Sequence, residues 1–330
     1  MINDAQRGAH RFADADTAAR YPLPCANQSP WLETAGGTQA HVEIGALAAH
    51  GILIPSLSGW QGGYRFTLVA DQQRWELPRV RALDEARALH EAPLAADKTL
   101  QPAREGTSAD NAVTTHVDCF HIHRALSGVK LEVNLDPAPP PRRFLLTASW
   151  RPLELPSPGL PTARVLANPP PAASQMSQGG RDGPRICSPT CVAMVLRGYG
   201  RSIELLEASA QAFDPNTNLY GVWPYALRLA GAYGHLGAVE AVADWDTAQQ
   251  VLEQGYPLVA SIRFRRDALP GAPLQSTAGH LVVLHGAAPD CVVVNDPAAP
   301  QVATVPRTYA SGAFSSAWLQ YRGAAYILLP

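Results

Sequence analysis

Charge is what this chain of 330 residues has least of. Only 16% of its residues are Asp, Glu, Lys or Arg, against about 25% in ordinary soluble domains. The formal net charge is −2 and no dense block of Lys or Arg occurs, so the basic surface that binds nucleic acid is missing. Long apolar runs are missing too, and none approaches the roughly 20 residues of a membrane helix. Residues Met1 to Arg7 lead into polar sequence without the apolar core of a signal peptide, which points to the cytoplasm. Cysteine is scarce and odd in number at five. Without regular spacing these residues make no disulfide framework.

Proline and glycine are plentiful instead, at 30 and 26, and they punctuate the chain. Its length exceeds what one core usually supports, so two domains are expected. Residues 1–30 read as an irregular polar arm. Residues 31–151 read as an antiparallel β-sandwich of about six to eight strands. Tyr64, Phe66 and Leu68 alternate with polar neighbours there, as do Val129, Leu131, Val133 and Leu135, and Phe144, Leu146, Ala148 and Trp150. The stretch Leu83 to Leu89 is helical in composition. Residues 152–172 hold Pro152, Pro156, Pro158, Pro161, Pro169, Pro170 and Pro171. Fixed φ and missing N–H groups make this a linker. Residues 173–330 change to an α+β order, with helices expected at Ile203–Ala212, Trp223–Tyr233 and Asp246–Gln254 and a strand at Pro257–Phe264.

The chemistry lies in this second part. Ser188 suits a helix cap and Pro189 the first helical position, with Val192, Val195, Leu196 and Tyr199 forming a stripe behind them. Cys187 therefore stands where aligned peptide dipoles favour a thiolate. A lone cysteine is more often a small buried hydrophobe, so partners are needed. His280 opens one apolar run and Asp296 closes another, with residues 286–290 reading as a hairpin loop between them. A hairpin symmetric about residue 288 makes His280 and Asp296 cross-strand neighbours about 5 Å apart. Asp296 can then fix the imidazole tautomer, and a one-residue slip would put Asn295 in its place. Gln175 or Gln178 can supply an oxyanion donor beside the Cys187 N–H.

These residues carry a resemblance. Ser174-Gln175-Met176, Cys187-Ser188-Pro189-Thr190, Gly279-His280-Leu281-Val282-Val283 and Val294-Asn295-Asp296-Pro297-Ala298 resemble bacterial papain-like cysteine peptidases. The group is that related to the bacteriocin-processing, double-glycine-leader peptidases, and the likeness spans Ala173 to Pro330. It implies a papain-like catalytic domain with Cys187 as nucleophile, His280 as base, Asp296 as its orienter and Gln175 at the oxyanion. It also implies a peptide or protein substrate and no metal or organic cofactor. The chain departs from the pattern in Cys191, where many relatives carry Ser, and in residues 179–183, which lengthen the Gln-to-Cys gap.

The first half offers weaker signals. His116, Cys119, His121 and His123 cluster, but the closed Cys/His pairs of structural zinc are missing and strand packing is the simpler account. The apolar face switches between Val117 and Phe120, which suggests a bulge. Trp31, Trp60 and Trp75 could stack on a sugar, though core packing is commoner. Glu76, Asp84 and Glu85 form no glycosidase pair. In the second half Tyr220 and Trp223 are candidates for a substrate groove. Two competing functions remain: a catalytically silent glycan- or protein-binding protein on a papain-like scaffold, and a transglutaminase- or amidase-type acyl transferase.

Overall fold

In the computed structural model, which describes residues 6–34, 37–85, 106–107, 112–136, 139–178 and 182–330, the chain is mixed α+β and holds three sheets. Their ladders are antiparallel except for one short parallel pair between Gly8–Ala13 and Ala26–Asn27. The first sheet runs in the order Ala26–Asn27, Gly8–Ala13, Leu145–Pro152, Gly51–Ser58, Phe120–Ile122, Val113–Thr115, Gly106–Thr107. The second runs Trp31–Thr34, Gly37–Leu47, Leu126–Leu135, Tyr64–Ala70, Gln73–Glu76. The expected alternation is visible in this second sheet. Val129, Leu131, Val133 and Leu135 are buried and Lys130 is exposed. One apolar cluster takes Val42, Leu68 and Leu131 from it and Leu53, Leu57 and Leu146 from the first sheet.

The third sheet belongs to the second half, in the order Gly237–Ala241, Ala324–Leu328, Leu258–Phe264, Thr277–Ala287, Cys291–Asn295, Pro306–Ala310. Helices Leu205–Ala212, Trp223–Ala232 and Trp245–Glu253 fall within two residues of their expected bounds. The last is capped by Asp244, whose carboxylate accepts from the Thr247 N–H at 2.9 Å. Helix Cys187–Gly198 is buried over nearly its whole circumference, from Ser188 to Leu196. Such a helix lies inside a core rather than on it.

Three expectations about local structure differ from what is found. The first thirty residues are not irregular. Strand Gly8–Ala13 pairs with Leu145–Pro152 and helix Ala15–Arg20 follows, capped by Asp14. The proline-rich stretch contributes strand Val165–Leu166, which pairs with Ala287 and Gly286 of the third sheet. Between Val117 and Phe120 the chain makes a hairpin turn, not a bulge: Val113–Thr115 pairs back on Phe120–Ile122, and the His116 N–H donates to the Cys119 carbonyl at 2.9 Å. A turn reverses the inward face just as a bulge does, so the apolar pattern alone cannot separate them. The expected helix at Leu83 to Leu89 is helical from 83 to 85, and its remainder lies outside the described residues.

The two halves share an extensive contact. Strand Gly237–Ala241 is the edge of the third sheet, and its outward N–H groups need acceptors. Gly237, Val239 and Ala241 donate to the hydroxyls of Ser58, Ser56 and Ser149 at 3.1, 3.1 and 2.8 Å. The Arg11 guanidinium grips Glu240 through two nitrogens, at 2.7 and 3.2 Å. Ile52, Ile54 and Cys119 join the same apolar cluster as Val192, Leu196 and Leu227.

Candidate active site

Cys187 is the first residue of its helix, and the residue before it, Ile186, occupies the cap position without a side-chain bond. Ser188 is thus inside the helix rather than capping it, and its hydroxyl pairs with the Tyr326 hydroxyl at 3.1 Å. Pro189 still lies in the first turn, where its missing N–H has no helical carbonyl to serve. The thiol sits at the positive end of the helix dipole, as the sequence suggests.

His280 and Asp296 meet, although not through the expected pairing. Val283 pairs with Asn295 and Leu284 with Val294, and a bulge at His285 shifts the ladder. The hairpin is therefore offset by two residues from one symmetric about residue 288. An even offset keeps every side chain on its face, and Asp296, just past the strand end, stays diagonal to His280. The His280 Nε2 atom lies 2.8 Å from Asp296 Oδ1, with both residues buried. That leaves Nδ1 as the ring nitrogen available to Cys187, whose thiol is close enough to raise the imidazole.

The electrostatics follow from these contacts. Burial opposes charge on His280, but the Asp296 carboxylate, its hydrogen bond and Cys187 outweigh it and raise the imidazole to about 10. Burial likewise opposes a thiolate at Cys187. The hydrogen bond and charge of His280, with the N–H groups of Leu281 and Ser188, overcome it and lower the thiol. Asp296 is desolvated too, yet His280, the Tyr309 hydroxyl and the Ala298 N–H hold its carboxyl below the usual range. The arrangement favours a thiolate–imidazolium pair, the reactive form of a cysteine nucleophile. Cys191, one turn along the helix, has no such partner. Burial pushes its thiol well above the ordinary value, and its Sγ lies 3.3 Å from the Leu281 carbonyl.

Tyr309 escapes a reading of the sequence. Its hydroxyl donates to Asp296 Oδ2 at 2.8 Å, so both carboxylate oxygens are engaged. It stands opposite Val292 on the neighbouring strand, a relation that only the register reveals.

Gln175 is buried in a short 3₁₀ turn, Gln175–Gln178, where its N–H donates to Pro297 beside Asp296. Its side-chain nitrogen donates to the Gly183 carbonyl at 2.9 Å, and its side-chain oxygen has no partner. It is not among the residues lining the cleft at Cys187. Gln178 lies at the surface, 3.4 Å from the Ser177 hydroxyl.

Cys187 opens into a cleft of about 380 Å³. Tyr220 and Trp223, the candidate groove residues, line it. So do His116 and Asp118 from the hairpin turn of the first half, a contribution not visible in the sequence. Asp118 also accepts from the Trp223 N–H at 3.3 Å, at the start of helix Trp223–Ala232.

The other sequence candidates are packed elsewhere. Trp75 is buried, Trp31 meets Phe144 edge-on, and the Trp60 indole donates to the Gly63 carbonyl. His116 and His121 lie ring to ring, with nitrogens 3.0 Å apart. Among the described residues no group of three or more His, Cys, Asp or Glu is placed to hold a metal ion. No described helix is long and apolar enough to cross a membrane.

Residues 170–326 match the model of the Peptidase_C39 like family. Among solved structures, the chain is similar to a double glycine motif protease from an AMS/PCAT transporter, in complex with the leader peptide. The identity is 19%, over 52% of this chain and 97% of that one, with a TM-score of 0.36. It is also similar to a Bacillus anthracis protein described as a C39-like peptidase. There the identity is 16%, over 51% of this chain and 98% of the other, with a TM-score of 0.40. No curated protein matches the chain.

Proposed function

We propose that the segment 170–326, as a member of the Peptidase_C39 like family, makes this chain a cysteine peptidase working through Cys187, His280 and Asp296. The observation that carries the reading is His280, bonded to Asp296 at 2.8 Å and close enough to Cys187 to lower its thiol, at the mouth of a buried helix. The Cys187 thiolate attacks the substrate carbonyl, and the resulting oxyanion draws on the Cys187 N–H. Gln175 serves as second donor in this reading once its side-chain amide turns from the Gly183 carbonyl toward the cleft, which it does not line at rest. The His280 imidazolium protonates the leaving amine, which departs and leaves a thioester. The neutral ring then takes a proton from water, the hydroxide oxygen attacks the thioester carbonyl, and the acid is released as the thiol is regenerated. Asp296 holds the ring in place throughout, and Tyr309 holds Asp296. The substrate is a peptide.

The first half we read as a β-sandwich over residues 31–151, extended by strands Gly8–Ala13 and Ala26–Asn27, and joined by residues 152–172, which lend strand Val165–Leu166 to the third sheet, to a catalytic domain beginning at 173. Its two sheets enclose one apolar cluster, which supports that reading.

The test combines labelling and cleavage. A limiting dose of iodoacetamide should alkylate Cys187 well ahead of an exposed model thiol. A complex peptide mixture should gain new termini with the wild-type chain and none with Cys187→Ala. Labelling at the rate of a model thiol, together with no Cys187-dependent cleavage, would end the proposal.

A further inference from the structure

Two arginines line the cleft at Cys187, and their situations differ. Arg185 is occupied: it donates to Asp182 at 3.1 Å and to the Asn218 carbonyl, and lies over the Tyr220 ring. Arg322 is not. Among the described residues its guanidinium has no hydrogen-bond or ion-pair partner. It lies over the face of Trp223, 6.0 Å from the ring centroid. Asp118, the acidic residue of the cleft wall, stays outside ion-pair distance of Arg322, and its Oδ2 accepts from the Trp223 N–H. A guanidinium stacked on an aromatic ring keeps its edge nitrogens exposed, and their fork matches the two oxygens of a carboxylate.

The surroundings carry charge of both signs. His116 shares the cleft wall, and the charge of Arg322 is felt by His121, behind it. Arg185 also lines the cleft, with its charge paired to Asp182. Burial raises the Asp118 carboxyl to about 6 and the charge of Arg322 holds it down, so at neutral pH it is ionised and faces the arginine without reaching ion-pair distance.

We infer that Arg322 is a substrate-binding residue that selects peptides carrying a carboxylate, held against Trp223 beside the hairpin turn His116–Cys119. The inference rests on the reading of Cys187 as nucleophile and names the chemistry of what that nucleophile receives. The carboxylate belongs either to an Asp or Glu side chain or to the peptide's own C-terminus. The shared chemistry is the same, and the substrates separate the two.

A pair of small reagents tests it whatever the natural substrate is. In both, the Cys187 sulfur forms a bond to carbon and iodide leaves, but iodoacetate carries a carboxylate and iodoacetamide does not. In the full chain, Arg322→Gln should lower the iodoacetate-to-iodoacetamide rate ratio at Cys187 about 3- to 10-fold, the scale of one short-range charge contact. The iodoacetamide rate should change less than about twofold. Arg322→Lys, which keeps the charge and most of the packing, should retain most of the ratio. In the peptide arm, Glu→Gln or acid→amide replacement should lower cleavage by the wild type about tenfold and leave Arg322→Gln cleavage unaffected. Whichever replacement does so identifies the source. A reagent ratio unchanged by Arg322→Gln overturns the inference while leaving the nucleophile intact. Indifference of cleavage to both replacements overturns it as well. A Cys187 that reacts with neither reagent overturns the proposed function instead, and the inference falls with it.

Discussion

His280 is buried and His121 half-buried, one in each half of the chain, and their ionisation moves in opposite directions. Burial opposes the charge of each. For His121 burial is joined by the influence of His116, Arg322 and His123, and the ring falls to about 3. For His280 the neighbours are the Asp296 carboxylate and the Cys187 thiol, and the ring rises to about 10. Desolvation opposes the charge in both places, and the more deeply buried ring is the one that rises, so the neighbouring charge decides the outcome. The cysteines repeat the lesson. Cys187 and Cys191 share a helix, and only the one bonded to imidazole is lowered.

The strongest way to break that comparison is to remove each sulfur in turn. Cys187→Ala should lower cleavage by at least about 10⁴-fold, as loss of a nucleophile does elsewhere. Cys191→Ala should leave the rate within about twofold and instead cost stability of about 1 kcal/mol through lost core packing. A Cys191 variant as inactive as the Cys187 variant, while still folded by circular dichroism, would reverse the assignment. Removing the two imidazoles is the next test. His280→Ala should cost about 10²- to 10⁴-fold in kcat, the usual range for a general acid–base. His121→Ala should leave kcat unchanged.

The site was partly legible because its signals are local. Cys187 beside Ser188-Pro189 marks a helix start, and Asp244 and Gly255 bracket the helix Trp245–Glu253 in the same way. His280 and Asp296 end apolar runs of correct parity, so a two-residue error in register left them on the same face. What was not legible depends on distant pairing. The bulge at His285 leaves no mark in the apolar pattern, since its neighbours on both sides are buried. Tyr309 comes to Asp296 through the next strand over, and His116 and Asp118 reach the cleft through a hairpin of the other half. Ser56, Ser58 and Ser149 look like ordinary strand serines until a foreign strand edge is set against them. Such contacts are fixed by tertiary packing, and nothing within a few residues announces them.

A pH series sharpens the contrast between the two imidazoles. With the thiol lowered and His280 raised to about 10, the thiolate–imidazolium pair spans the neutral range. Alkylation of Cys187 should therefore be flat through neutrality and fall only as acid protonates the sulfur. Cleavage should fall in addition as pH rises through about 10, because the ring can no longer protonate the leaving amine. The same raised value contributes stability that is complete below the unfolded value near 6.5 and is lost as pH rises through about 10. His121, already neutral well below that range, should add no inflection between these limits. A single acid limb near pH 8 to 9 in the alkylation profile, the range of an ordinary thiol, would show that the pair does not form.

The smallest expected effect separates positioning from packing. Tyr309→Phe keeps the ring and removes only the hydroxyl that donates to Asp296 Oδ2. A hydrogen bond to a charged group contributes about 1.5–3 kcal/mol, but water can enter beside the freed oxygen and recover part of it. We expect a loss of about 3- to 10-fold in kcat with KM nearly unchanged. A merely structural tyrosine would lower the melting temperature and leave the pH profile alone. A positioning one shares the Asp296 charge with His280, so without its hydroxyl the high-pH limb of cleavage should move up. The direction follows from the charge: Asp296 stays ionised near pH 10, and with one donor fewer its carboxylate is a stronger acceptor for the His280 N–H and supports imidazolium further. An unmoved alkaline limb in Tyr309→Phe, alongside a lowered melting temperature, would reduce Tyr309 to a packing residue and leave Asp296 to orient the ring unaided.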